Sequence, residues 1–204
     1  MKKGFTLLEL LIVIGILAIL STTMVLVINP AEMLKKARDS QRISDLNNLK
    51  SALSLYLTDV ASPLLAPSST AAYISNSSAN NINQATPCLP SGYGVASASN
   101  SQAINGTGWL PVNFGAISGG SPISAEPVDP NPSSTGSPYH FYLYIPSTAN
   151  NTFELMANME SAYYSTSTTS VENNDGGVMP NVYEIGTTIF TTLTSTSTCY
   201  NGGA

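Results

Sequence analysis

The chain has 204 residues, of which only 9% are charged, far below the ~25% of an average soluble protein. All seven Lys and Arg (Lys2, Lys3, Lys35, Lys36, Arg38, Arg42 and Lys50) fall in the first 50 residues, against four acids; residues 51–204 carry eight acids and no Lys or Arg. This excludes a nucleic-acid-binding domain from most of the chain, which has no cation to neutralise phosphate, and the length excludes a large multidomain enzyme.

Beyond Phe5-Thr6, residues 7–28 are apolar except for Glu9, Gly15, Ser21, Thr22 and Thr23. From Leu10 to Ile28, 19 consecutive positions are uncharged, enough for a helix of ~28 Å, about one bilayer core. A secretory signal peptide has a shorter apolar region and a small-x-small cleavage site, which Asn29-Pro30-Ala31-Glu32 does not supply. The segment is therefore predicted to be a membrane helix. Lys35, Lys36, Arg38 and Arg42 outnumber Lys2 and Lys3 at its two ends, so charge bias alone would keep the C-terminal part in the cytoplasm. Glu9 is the odd residue, since a carboxylate costs ~2.5–3.5 kcal/mol at mid-membrane and less near an end. Either it snorkels from the first helical turns, where the helix dipole favours an acid, or it has a partner in the membrane.

Lys2-Lys3-Gly4-Phe5-Thr6-Leu7-Leu8-Glu9, followed by the apolar run, resembles the class III leader of type IV pilins and type II secretion pseudopilins. The resemblance implies cleavage between Gly4 and Phe5 by a membrane-embedded prepilin peptidase, N-methylation of Phe5, and export of everything beyond the helix. It implies further that Glu9 pairs with the Phe5 amine of a neighbouring subunit and sets the register of a helical homo-oligomer. The other partners it implies are membrane lipid before assembly, an inner-membrane assembly platform and minor pilins. The organisation expected is a leader over 1–4, a membrane and assembly half-helix over 5–30, an amphipathic half-helix over 31–60, and an exported domain over 61–204.

Residues 31–60 contain no Gly or Pro, and Ile43, Leu46, Leu49, Leu53, Tyr56 and Val60 recur at spacings of three and four. This is a helical stripe suited to covering a sheet. Residues 32–42 are charged around most of the helix and read either as a solvated neck or as ion-pairing groups between subunits, with Arg38 and Arg42 facing Glu32, Asp39 or Asp45 of neighbours. Asn29-Pro30 is either a kink in one rod or the cap and first position of a second helix. The stretch from Lys35 to Asp59 also resembles the corresponding helix of major type II pseudopilins, with a surface type IV pilin close behind.

Within residues 61–204, 39 of 144 positions are Ser or Thr. Tyr139–Ile145 and Thr152–Met159 read as strands joined by a hairpin loop over Pro146–Asn151, with Phe153, Leu155, Ala157 and Met159 on one face. A third strand is expected within Val182–Leu193. Packed on the Ile43–Val60 stripe, these make a small α+β domain, which the resemblance identifies with the pilin fold. Residues 61–138, punctuated by proline, are expected to be a long, mostly irregular connection in which Trp109, Leu110 and Val112 pack. Pro127-Val128-Asp129-Pro130 resembles the Asp-Pro step that major pseudopilins carry before their sheet.

Catalysis is not expected. The chain has one histidine, His140, read as a packing or surface residue, and no nucleophile elbow, Walker loop or dinucleotide fingerprint. Cys88 and Cys199 are the only cysteines and read as one disulfide of an exported domain, or as two buried thiols. The turn Glu172-Asn173-Asn174-Asp175-Gly176 is oxygen-rich enough to be weighed as a Ca²⁺ loop against an ordinary turn; no metal ligand is assigned. The Ser/Thr runs at Ser165–Ser170 and Thr194–Thr198 are candidates for O-linked sugars or plain strand edges. The eight acids beyond residue 50 are expected to give an acidic outer surface. A second class of function, a singly anchored surface protein binding a ligand through its 61–138 region, is compatible with the same residues.

Overall fold

The computed structural model describes residues 4–77, 88–132, 139–166 and 170–187. Helix α1 spans Leu7–Ile28 and α2 spans Pro30–Asp59. Asn29 breaks the rod. It sits in the left-handed region at φ 44°, where Asn is tolerated better than most residues, and its side chain accepts a hydrogen bond from the Glu32 N–H at 3.4 Å. Pro30 then opens α2 at the position where a missing N–H costs nothing. Of the two readings of Asn29-Pro30, the capped second helix is the one observed.

Five strands follow: β1 (Ala71–Ile74), β2 (Gly94–Ala98), β3 (Leu143–Ser147), β4 (Thr152–Ala157) and β5 (Tyr183–Gly186). Their order is β2-β1-β3-β4-β5. All neighbours are antiparallel except β1 and β2, which are parallel. The fold is α+β and pilin-like, a long N-terminal helix laid on a mostly antiparallel sheet. Short helices α3 (Ala162–Ser165) and α4 (Val171–Asn174) lie between β4 and β5.

The two-residue alternation of the strands sorts the core into two layers. Tyr73, Tyr144, Phe153, Leu155 and Ala157 pack with Leu46, Leu49, Leu53 and Tyr56 of α2, as their spacing predicts. Trp109, Leu110 and Val112 are fully buried in the same layer, and the Trp109 indole N–H donates to the Pro127 carbonyl at 2.9 Å. On the opposite face, Ala72, Ile74, Leu143, Ile145 and Met156 meet Cys88, Phe141, Met179 and Val182.

Two expectations are corrected. Residues 61–138 are not only a connection, for they supply β1 and β2. Neither strand announces itself, because β1 is four residues long and β2 (Gly-Val-Ala-Ser-Ala) is a small-residue edge strand with Val95 as its one strong β former. The first hairpin strand is also shifted, beginning at Leu143 rather than Tyr139 and running through Pro146 to Ser147. Proline is admissible there because β1 pairs only with Leu143 and Tyr144, leaving that side of Pro146 without a ladder partner. Of the third expected strand, Tyr183–Gly186 is observed, and residues 188–193 lie outside the described residues.

Candidate functional site

At the N-terminus the Gly4–Phe5 peptide stands in the non-helical lead-in to α1, and Phe5 is 84% exposed. A Cβ on Gly4 would meet nothing within 4 Å, so no contact inside the chain demands glycine at that position. Thr6 is the N-cap of α1 and closes a capping box with Glu9. The Thr6 N–H and Oγ1–H each donate to Glu9 Oε2 at 2.8 Å, and the Glu9 N–H donates back to Thr6 Oγ1 at 3.2 Å. The reading of Glu9 overlooked Thr6, although Thr-x-x-Glu ahead of an apolar run is the sequence signal for this arrangement.

From Leu7 to Met24, α1 is long and apolar enough to cross a membrane, and no part of it is buried against the domain. Apolar side chains such as Leu10, Ile14, Leu17 and Leu20 are more than half exposed. An unpartnered apolar helix of this length needs either lipid or other helices.

The charged neck is where the structure departs most from expectation. Arg42 is fully buried. Its Nε and Nη2 donate to the two carboxylate oxygens of Asp129 at 2.7 and 2.8 Å, Nη1 donates to Asp39 at 2.7 Å, and Nη2 also reaches Glu160. Arg38 donates to the same Glu160, with Nε at 3.0 Å from Oε1. Asp39, also fully buried, accepts the N–H groups of Glu160 at 2.9 Å and Ser161 at 2.8 Å. Glu32 accepts the Ala162 N–H at 2.7 Å, and Tyr142 donates its hydroxyl to Asp45 at 2.8 Å. The neck is therefore solvated on one face only; on the other, Arg42 and Arg38 clasp α2 to its own domain. Burial alone would raise the Glu160 carboxyl, but hydrogen bonds and charge from Arg38 and Arg42 hold it down at about 2.

The acids beyond residue 50 do not form an acidic surface either. Glu126, Asp129, Glu154, Glu172 and Glu184 are all buried. Most act as acceptors for backbone N–H groups that no helix or strand serves. Glu126 takes that of Leu110 at 2.9 Å, Glu172 that of Met159 at 3.0 Å, and Glu184 that of Met179 at 2.8 Å. Asp175 accepts from Gly177 at 2.8 Å and from Glu184 at 2.7 Å. In the Glu172–Gly176 turn the carboxylates are thus directed at backbone donors. Among the described residues no three acid, His or Cys side chains converge as a metal site. His140 is buried, as one of the two readings of it had it. Cys88 is buried in the second core layer; Cys199 and Thr194–Thr198 lie outside the described residues.

Residues 1–25 match the prokaryotic N-terminal methylation motif. The match is confined to the head of the chain, from Met1 through most of α1. No curated protein and no solved structure matches the chain.

Two outcomes follow from the clasp and the buried acids. Replacing Arg42 with Met strands the buried carboxylates of Asp39 and Asp129, a loss of about 3–5 kcal/mol. Arg38→Met, at a partly exposed pair, costs under ~1 kcal/mol. Thermal unfolding of the full chain in detergent, read by near-UV circular dichroism, should separate the two; equal shifts would dismiss Arg42 as the clasp. The second outcome concerns Glu172, which burial pushes up to about 8 against the lowering effect of the Met159 N–H. An unfolded Glu ionises near 4.5, so between these values the folded chain holds a proton that the unfolded chain has released, and stability falls as pH rises. Glu172→Gln, which keeps the acceptor, should raise the melting temperature at pH 8 by roughly 5 °C, on a scale of about 2–4 °C per kcal/mol. It should change little at pH 4.5, and a pH-independent effect would contradict the assignment.

Proposed function

We propose that the protein is the precursor of a pilin-type filament subunit, inserted in the cytoplasmic membrane, cut between Gly4 and Phe5, N-methylated on Phe5 and polymerised through α1. The observation that carries this reading is the combination at the N-terminus: a methylation motif over residues 1–25 heading a helix that, from Leu7 to Met24, is not buried against any described residue. The domain fold supports it, since α2 holds the sheet outside the membrane while α1 stays free to move from lipid into a shared helical core.

Glu9 has a defined role in this reading. In the precursor its carboxylate is held by Thr6, so the acid enters the membrane with two hydrogen-bond donors in place. Cleavage creates a cationic amine at Phe5, and a carboxylate in lipid gains most from meeting a cation. Pairing with the Phe5 amine of a neighbour would fix the axial register of the filament. The finer assignment we favour is a subunit of a type II-like secretion pseudopilus, on the resemblance of the Lys35–Asp59 helix; a surface type IV pilus is the alternative. A Cys88–Cys199 disulfide belongs to the same reading, tying the C-terminal segment to the second core layer.

Mass spectrometry of the mature chain should find methylated Phe5 at its N-terminus. A chain retaining Met1 would favour the tethered binding protein instead. Glu9→Gln should leave insertion and cleavage intact and lower filament yield by about tenfold or more, since ~1.4 kcal/mol already corresponds to a factor of 10; normal filaments would refute the role given to Glu9. For the cysteines, reduction of the native protein should add the mass of two hydrogens, whereas two thiols alkylating without reductant would exclude the bond.

A further inference from the structure

We propose that the membrane-proximal end of the domain, formed by Lys35 and Lys36 of α2 with Tyr163 of α3, is a docking surface for the phosphate headgroups of anionic phospholipid. The proposal rests on reading α1 as membrane-spanning. The four cations of the neck divide into two pairs with different fates. Every ion pair among the described residues uses Arg38 or Arg42, and all twelve carboxylate side chains of the sequence lie within the described residues. Lys35 and Lys36 are therefore left without a carboxylate. The nearest acids in sequence are engaged elsewhere, Glu32 by the Ala162 N–H at 2.7 Å and Asp39 by Arg42 at 2.7 Å.

Position favours lipid over solvent as the destination of these two charges. They lie five and six residues beyond Pro30, a rise of ~8–9 Å along the helix, at the edge of a headgroup layer ~5–7 Å thick on each side of the core. Helical side chains lean toward the N-terminus of their helix, here toward the membrane. Lys36 Nζ stands 4.7 Å from the centre of the Tyr163 ring, and that ring is 58% exposed. An exposed tyrosine beside lysines is the composition of a membrane interface, where an aromatic ring sits at headgroup level and ammonium groups reach phosphate. Met33 and Leu34, 56% and 62% exposed, add apolar surface in the same first turns of α2. Ser161, Ala162 and the Arg38–Glu160 pair hold α3 against this stretch, so Tyr163 and the lysines are presented together.

The test uses the full chain reconstituted into phosphatidylcholine vesicles with and without phosphatidylglycerol. A membrane-impermeant amine acylating reagent is applied, and the rate at each lysine is read by mass spectrometry. Lys50, 14 residues beyond Lys36 on α2, is the internal reference. A lysine near an anionic surface gains about fivefold in local occupancy, so acylation of Lys35 and Lys36 relative to Lys50 should slow about fivefold in the anionic vesicles. The protection should vanish at ~1 M salt, where screening acts within ~3 Å. Ratios that are the same in both lipids overturn the proposal while leaving the membrane reading of α1 intact. A chain that fails to float with either vesicle overturns both.

Discussion

A guanidinium with no surface in water has to be paired on every side, and that requirement at Arg42 organises the molecule. Its donors reach Asp39 on its own helix, Asp129 in the loop before β3, and Glu160 just beyond β4. Three chain segments that share no secondary structure are thereby fixed to one point. A bare buried ion pair is weak support for stability, because desolvation consumes most of its attraction. Here the remaining lone pairs are also filled: Asp39 accepts two backbone N–H groups and Asp129 accepts that of Asn131 at 2.8 Å. Desolvation is shared across a network of hydrogen bonds, the condition under which a buried ion cluster holds geometry in place.

That clasp determines where the chain can articulate. Glu32, Arg38, Asp39, Arg42 and Asp45 all contact the domain, so α2 is held to it from its first turn to its last, where Asp59 accepts the Ser118 N–H at 2.6 Å. The helix break at Asn29-Pro30 lies two residues before Glu32. Membrane helix and domain therefore meet at a single short joint, with a left-handed Asn on one side and a fully docked helix on the other. Any change in the relation between these two parts is concentrated by the sequence at one residue pair.

The parts of the fold that were legible in sequence are those governed by local period. The stripe from Leu46 to Tyr56, the alternation Phe153-Leu155-Ala157 and the turn before Asn151 follow from one residue's relation to the next few. The clasp was not legible, because Asp129 and Glu160 lie 87 and 118 residues from Arg42. Asp129 stood out only for the proline after it, and Glu160 had no local signal at all. β1 and β2 were missed for a related reason, since they become strands by pairing, β1 with β3 and β2 with β1, more than through intrinsic preference. At the N-terminus the reverse held: the motif pointed to Glu9 directly, while its partner Thr6 needed only the capping-box spacing.

The charge asymmetry of the sequence takes on a different meaning in the folded chain. A domain of many loops has many backbone N–H groups outside helix and sheet ladders, and each buried one needs an acceptor. With few charged residues available, this chain spends its carboxylates on that task, at Glu126, Glu172, Asp175 and Glu184. Burial, opposed only partly by those hydrogen bonds, pushes Glu126 and Glu172 up to about 8, so at neutral pH both are largely protonated. The formal charge of residues 51–204 therefore overstates their field. In the neck, Arg38 and Arg42 are cancelled internally by Asp39, Asp129 and Glu160. Lys35 and Lys36 are left outside that clasp, at the α1 end of the domain. An apparent basic head on an acidic body becomes a domain whose acids are mostly turned inward.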